Sequence, residues 1–372
     1  MCSKSVVPLV DLRAQYETLG PEIEQAVCLV LQRGDYILGE DLDHFEHEFA
    51  RYCGTRYAIG VSSGFAALRI ALESAGVGVG DEVITVANTF VATVLAIHHA
   101  GATPVLVDVD PATANLDPQL LKHAVTPRTR AIIPVHLYGH PAEMKSVLDF
   151  ANRHGLIVIE DAAQAHGAEF ESRRVGGFGT AGCFSFYPSK NLGAAGDGGM
   201  IVTDDEPLAQ KARMLRNYGQ TVKHQVQCVG TNDRLDTIQA AILRVKLRWL
   251  DRWNDRRRAH AAFYTRRLAG LPLETPTEIP GSRHVYHLYV IRTPHRDALA
   301  SYLGEKGIVT GIHYPVPIHR HSAFGDQDFS RLSFPETERL SQTSLSLPMY
   351  AELTEPQITR VCDVVRDFFD SL

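Results

Sequence analysis

Lys190 sits in the run Phe184-Ser185-Phe186-Tyr187-Pro188-Ser189-Lys190-Asn191-Leu192-Gly193, followed by a Gly-rich stretch to Gly198-Gly199. A short apolar strand thus delivers a primary amine onto a polar loop. Upstream, the apolar run Leu156-Ile157-Val158-Ile159 leads into Glu160-Asp161-Ala162-Ala163-Gln164-Ala165-His166. A carboxylate at one strand end and a lysine beyond another is the arrangement that pyridoxal phosphate requires. The lysine forms a Schiff base with the aldehyde, and the aspartate keeps a proton on the pyridine nitrogen so that the ring accepts electrons. Gln164, three residues after Asp161, is spaced to reach a neighbouring substituent such as the phenolic oxygen.

A second motif, Val61-Ser62-Ser63-Gly64-Phe65-Ala66, follows a strand and opens a helix. Gly64 lets the backbone approach a ligand, and the free N–H groups of the first turn favour an anion. Ser62 and Ser63 add hydroxyl donors. Alone, the motif reads equally well as a serine N-cap; beside Lys190 and Asp161 it reads as a phosphate cup. Ser185, five residues before Lys190, is on a strand that could point its hydroxyl at the same phosphate. Phe90, after Ala87-Asn88-Thr89 at a helix start, is placed to stack on a ring, or simply to fill the core.

These residues need a frame. Short apolar runs alternate with helical patterns from about residue 55 to 215. Strands are expected at 57–61, 82–86, 103–108, 131–135, 157–161, 182–186 and 200–203, with helices at 66–74, 91–99, 142–154 and 207–216. Such alternation predicts an α/β domain with a mainly parallel sheet, whose ligands bind at the carboxyl ends of strands. Two helices precede it, around 21–33 and 41–52. One long helix is expected over 236–268. Then come a strand at 287–292, a helix at 296–306, a His- and Pro-rich stretch at 311–324 and a closing helix at 355–369. The division expected is a large cofactor-binding domain over 1–250 and a smaller α+β domain over 251–372.

Bulk properties bound the reading. A chain of 372 residues has room for two domains. A formal net charge of −6 argues against a nucleic-acid surface. The run Arg256-Arg257-Arg258 reads as a solvated face or subunit contact. The six cysteines are scattered, with no pair at metal or redox spacing, as in a reducing compartment. The close pairs His44/His47, His98/His99 and His319/His321 lack the spacing of a zinc motif, so no metal is expected. Met1-Cys2-Ser3-Lys4 lacks the apolar core of a signal peptide, and no apolar run nears the ~18 residues of a membrane span. The expectation is a cytoplasmic chain with no membrane and no nucleic-acid partner.

Taken in order, these runs resemble the DegT/DnrJ/StrS family of sugar aminotransferases, which have an aspartate-aminotransferase-like (type I) pyridoxal-phosphate fold. The likeness begins at Val7-Pro8-Leu9-Val10-Asp11-Leu12 and passes through Gly39, Phe45-Glu46 and the motifs above. It ends in Arg216-Asn217-Tyr218-Gly219 and Asn232-Asp233-Arg234-Leu235-Asp236. The resemblance implies that Lys190 carries the cofactor, Asp161 faces its ring nitrogen and Gln164 its ring oxygen. Ser185 and the backbone at Ser63, Gly64 and Phe65 would hold the phosphate, and Phe90 would cover one ring face. Asn232 would reach the phosphate of the other subunit's cofactor, which implies a homodimer with composite sites. Two positions depart from the family: Phe65 where threonine is frequent, and Asp197 where glutamate is frequent. Members with histidine at the lysine position act as dehydratases; Lys190 groups this chain with the aminotransferases.

The segments 218–220, 223–224, 230–236 and 253–254 are similar to members that aminate C3 of dTDP-linked 3-keto-6-deoxyhexoses. The implied reaction passes an amino group from L-glutamate through pyridoxamine phosphate to such a keto sugar. Tyr187, Tyr218, Lys223, His224, His313, Tyr314 and His319 are the candidate sugar contacts. The alternatives are a C4 nucleotide-sugar or cyclitol/aminoshikimate-type aminotransferase, and a non-catalytic cofactor-binding sensor.

Overall fold

The computed structural model describes residues 6–327, 329 and 332–372. Helix α1 (Leu12–Arg33) and helix α2 (Glu40–Cys53) precede β1 (Tyr57–Val61), which runs into α3 (Gly64–Ser74). There follow β2 (Glu82–Val86), α4 (Val91–His99), β3 (Thr103–Val107), β4 (Thr129–Ile132), α5 (Met144–His154) and β5 (Ile157–Asp161). Then come β6 (Ala181–Ser185), β7 (Gly199–Thr203), α6 (Glu206–Leu215), α7 (Thr237–Leu247) and α8 (Leu250–Leu268). The strands form one seven-stranded sheet in the order β1-β7-β6-β5-β4-β2-β3. Every neighbour pair is parallel except those made by β7, which runs against both β1 and β6.

Alternation along the strands sorts the core onto two faces. Ile59, Val61, Cys183 and Ile201 join α3 and α6 on one side. Ala58, Phe184, Met200 and Val202 meet Leu42, Phe45 and Phe49 of α2 and Leu243 of α7 on the other. Covering both faces is what a mainly parallel sheet requires, and β2 and β7 are buried along their whole length.

The C-terminal part gathers its own core. Ala261, Tyr264 and Leu268 of α8 pack with β8 (Tyr289–Arg292), α9 (Arg296–Glu305), β9 (Ser344–Leu347) and α11 (Glu355–Asp370), while α10 (Pro335–Thr343) precedes β9. Strands β8 and β9 pair antiparallel, Tyr289 opposite Leu347. Thr354 caps α11 with a capping box worth about 1 kcal/mol. Burial of Ile358, Val361, Val365 and Phe368 contributes about 1.5–3 kcal/mol each, so packing decides this helix. Val7 joins the same core and bridges to Ile308, which ties the beginning of the chain to its end.

Several boundaries differ from the sequence expectation, each for a local reason. Helix α1 starts at Leu12, because Asp11 accepts from the N–H groups of Arg13 and Ala14; Pro21 lies inside it. Strand β3 stops at Val107, and the Asp108 carboxylate instead caps α10 by accepting from Glu336 N and Thr337 N, both at 2.9 Å. Strand β4 ends two residues before Pro134, which cannot donate to a ladder. The single helix expected over 236–268 is two: it breaks at Arg248-Trp249, where the Trp249 N–H bonds the Lys246 carbonyl. No proline or glycine marks that break. No helix among the described residues is long and apolar enough to cross a membrane.

Candidate active site

The ends of β1, β2, β5 and β6 bring the chemical motifs to one edge of the sheet. Ser63 caps α3, its Oγ accepting from Ala66 N at 3.1 Å. Gly64 lies so close to β6 that a Cβ there would sit 2.7 Å from Ser185 Cβ and 3.3 Å from Ser185 Oγ. The Ser185 hydroxyl and the free N–H groups of the α3 first turn therefore share one small cradle, a fit for a phosphate. Ser62 does not add a free donor: its hydroxyl donates to Asp233 Oδ1 at 2.7 Å. The Phe65 ring turns away to meet His99 edge-on at 5.3 Å, which leaves its backbone N–H to the cradle.

Asp161 ends β5 and is buried. Its Oδ2 accepts from the Thr93 hydroxyl at 2.8 Å and its Oδ1 from Ala163 N at 3.1 Å. Burial raises its pKa, while those two bonds and the charge of Lys190 oppose the rise. A buried carboxylate in that state calls for a cation, and a protonated ring nitrogen is one. Its neighbour Glu160 is structural: it accepts from the N–H groups of Gly176, Phe178 and Gly179 and pairs with His136.

Lys190 hangs from a loop anchored by Leu192 and Ala194 in the core and by its own N–H to the Tyr187 carbonyl at 2.9 Å. Burial lowers its pKa to about 8, against the attraction of Asp161. About one-tenth is thus free amine at pH 7, far more than for an ordinary lysine, and that is the form that attacks a carbonyl. Helix α7 supports the loop from below, Lys246 Nζ donating to Gly193 O at 2.7 Å.

Gln164 is already engaged. Its Oε1 accepts from Tyr138 N at 2.7 Å and its Nε2 donates to the Tyr314 hydroxyl at 2.9 Å, leaving one amide hydrogen for a ligand. The half-exposed Phe90 ring lies 5.6 Å from that of Tyr314. His313 bonds Ser346 Oγ at 2.8 Å, and burial together with the Lys190 charge brings its pKa to about 4. His313 and Tyr314 thus close the site from the C-terminal part of the chain.

The remaining candidates fall at the rim or outside. Tyr187 and Tyr218 are exposed, and Asn232 is exposed in a bridge with Asn217. Lys223 and His224 stand at the exposed turn of the hairpin Gln220–Val222/Gln225–Val226. Among the described residues no hydrogen bond or ion pair ties either side chain to the Lys190 cluster. His319 corrects the expectation: its side chain has no exposure, bonds Glu338 at 2.9 Å and packs on Phe334 at 4.9 Å. An acid on α10 takes the imidazole, so it does not line the site.

The sequence reading missed two residues. Thr93 positions Asp161, and the only local sign is the Thr89/Thr93 pair one helical turn apart, 2.9 Å between hydroxyls. Arg234 was read only as part of a motif. It is half-buried beneath the Tyr218 ring at 5.5 Å, bonded to Asn217 Oδ1 and without a carboxylate partner among the described residues.

A lysine with a lowered pKa facing a buried carboxylate, over a glycine-opened helix at the strand ends of this sheet, defines a pyridoxal-phosphate enzyme of the type I fold. The model of the DegT/DnrJ/EryC1/StrS aminotransferase family matches residues 17–366, and the chain belongs to that family. It is 49% identical over 363 residues to a dTDP-3-amino-3,4,6-trideoxy-alpha-D-glucose transaminase of Streptomyces venezuelae, covering 97% of this chain and 96% of that one. It is 48% identical over 366 residues to a pleiotropic regulatory protein of Geobacillus stearothermophilus, covering 98% of each. The crystal structure of S. venezuelae DesV in complex with a ketimine intermediate superposes with a TM-score of 0.97 at 49% identity, covering 99% of each chain.

Proposed function

We propose that this enzyme transfers an amino group from L-glutamate to the C3 keto group of a dTDP-linked 6-deoxy keto-hexose. The observation that carries the reading is the near-full-length likeness to the S. venezuelae transaminase. The regulatory name of a second relative favours a sensor instead. Lys190, its pKa lowered by burial, and Asp161, braced by Thr93, are machinery a sensor does not need.

Pyridoxal phosphate, when bound, supplies an aldehyde for amines and an electron-accepting ring. Lys190 would hold it, Ser185 and the α3 first turn would bind its phosphate, and Asp161 and Gln164 would face its ring. In the first half-reaction the freed Lys190 Nζ would take the proton from glutamate Cα; one water is consumed as 2-oxoglutarate leaves, and the amino group stays with the cofactor. In the second it would deliver a proton to sugar C3; the keto oxygen departs as water, and the sugar leaves carrying the amino group from the cofactor. Phe90, Tyr314 and His313 would flank the Lys190 amine on the open side. Tyr187, Tyr218, Lys223 and His224 are proposed around the sugar nucleotide, with Arg234 as a cation for one of its anionic groups.

The homodimer is part of the proposal, with Asn232 completing the partner's phosphate site. Its support is the exposed apolar surface: Leu29, Leu31, Tyr36 and Ile37 at one end, Val222, Val226 and Val229 on and after the hairpin. Residues 1–250 and 251–372 are proposed as the two domains, the second supplying His313 and Tyr314.

The test is a sugar half-reaction. The purified protein, loaded with pyridoxamine phosphate, is mixed separately with 3-keto and 4-keto dTDP-6-deoxyhexoses, and the return of lysine-bound cofactor absorbance is followed. Return with the 3-keto sugar alone supports the proposal. Return with the 4-keto sugar alone moves it to C4, and return with neither reopens cyclitol-type ketones and the sensor.

A further inference from the structure

A pair of buried amides, not used in the chemistry above, fastens the lysine loop. Asn191, next to Lys190, donates from Nδ2 to Asn254 Oδ1 at 2.8 Å and to Val285 O at 3.1 Å; its Oδ1 lies 3.3 Å from Nδ1 of His287. Asn254, near the start of α8, donates from Nδ2 to the His166 carbonyl at 2.8 Å. Asn254 is 1% exposed and Asn191 3%. One amide therefore spans two loops: that running from Asp161 through Gln164 to His166, and that carrying Lys190. The loops leave the adjacent strands β5 and β6, whose ladder ends at Asp161 opposite Cys183. Beyond that rung the sheet no longer fixes their separation.

We propose that Asn254 is a positioning residue for catalysis, setting the offset between the Lys190 amine and the Asp161–Gln164 side of the site. Its chemistry suits the task. The His166 carbonyl needs a donor and the Asn191 amide an acceptor, and a planar side-chain amide offers both in fixed geometry. The neighbouring Gly167 is crowded by both Tyr52 and this amide: a Cβ there would meet the Tyr52 hydroxyl first and lie 2.8 Å from Asn254 Nδ2. The clamp is also uncharged. The charge that bears on Lys190 is that of Asp161; the nearby imidazoles of His166, His287 and His313 have their pKa values lowered by burial and by the lysine's own charge. An amide holds the loop without adding a charge to that set, whereas an ion pair would shift the lysine. The break at Arg248-Trp249 aims α8 so that Trp253 packs against Leu19 and Ala351 while Asn254 reaches the loops.

The activity readouts rest on the aminotransfer reading; cofactor capture does not, because it needs neither amino donor nor ketone. Asn254→Leu and Asn191→Ala are compared with the parent by three measurements. These are kcat and KM of each half-reaction, the pH midpoint of pyridoxal phosphate capture by the cofactor-free protein, and thermal unfolding of that protein. With the loop loosened and wetter, kcat is expected to fall on the order of 10²-fold with KM little changed. The capture midpoint moves from about 8 toward the ordinary lysine value of 10.5. The double variant is no worse than the more damaging single one, because both act through one bridge. A capture midpoint that stays near 8, with activity lost only in proportion to unfolded protein and additive effects, overturns the proposal. Should Asn254→Leu not fold, Asn191→Ala keeps the Asn254–His166 bond and carries the same measurements, and parent-like kcat and midpoint there overturn it as well.

Discussion

The hydroxyl of Thr93 donates to Asp161 Oδ2 across 2.8 Å, joining the first turn of α4 to the end of β5. A hydrogen bond to a charged group contributes about 1.5–3 kcal/mol, so this contact opposes the rise in pKa that burial imposes on the carboxylate. Thr93→Val keeps the shape and removes the donor. The Asp161 pKa then rises further, and the acid limb of the first half-reaction moves to higher pH. The rate at neutral pH drops on the order of tenfold. A stopped-flow pH profile checks this, and an unmoved acid limb counts against Thr93.

The lowered pKa of Lys190 has two consequences of opposite use. Capture of pyridoxal phosphate by the cofactor-free protein needs the free amine, so its rate should climb with pH and level off above about 8. A surface lysine would still be climbing toward 10.5. The same shift destabilises the cofactor-free fold. Between about 8 and 10.5 the unfolded chain holds the proton that the folded chain has released, so this group's contribution grows more favourable as pH rises through that window. Below about 8 the cost is present in full. Lys190→Met should therefore stabilise the cofactor-free protein at pH 7 by about 1–3 kcal/mol, the lost attraction to Asp161 trimming the gain. Denaturant melts at several pH values measure it; a destabilised variant would contradict the burial argument.

Gly64→Ala addresses the cradle. The added methyl would stand 2.7 Å from Ser185 Cβ, closer than such atoms pack, so the start of α3 or the end of β6 must shift. Overpacking of this kind costs about 1–3 kcal/mol. Because the strain falls on the proposed phosphate site, cofactor affinity should weaken about tenfold or more, read by fluorescence quenching. Full affinity would place the phosphate elsewhere.

Composite sites predict complementation. Lys190→Ala and Asn232→Ala homodimers should each be impaired, the first abolished. Mixing and exchanging their subunits should create some dimers with one intact site, and activity should exceed that of either parent. Activity that stays at the Asn232→Ala level after exchange, verified by mass-tagged subunits, would keep Asn232 within its own chain's site.

Much of this arrangement is readable along the chain because its parts are local. The strands at Tyr57–Val61, Glu82–Val86 and Ile157–Asp161 are compact apolar runs, and their observed bounds are the expected ones. Lys190, Asp161, Gln164, Ser185 and Gly64 lie at or just beyond such runs, where a parallel sheet places ligands. What escaped notice depends on distant partners. Thr93 meets Asp161 from 68 positions away, and Asn191 meets Asn254 from 63. His319 is held by Glu338, a partner 19 positions away on another element. The break at Arg248-Trp249 has no proline or glycine to announce it; its sense lies in what Lys246 and Trp253 touch on either side.

The reversed strand β7 bears on how the lysine reaches its place. Parallel neighbours need a crossover of a dozen or more residues, usually helical, to bring the chain back to the starting edge. Because β7 runs against β6, residues 186–198 are released from that errand. They form a sling of coil whose two ends meet at one rung, Ser185 opposite Gly199, and the lysine lies between them. A sling changes its reach with its length. Adding or removing one residue within 186–198 would displace the nitrogen against the anchors at Asn191, Leu192 and Gly193, while the Ser185–Gly199 rung could keep its register.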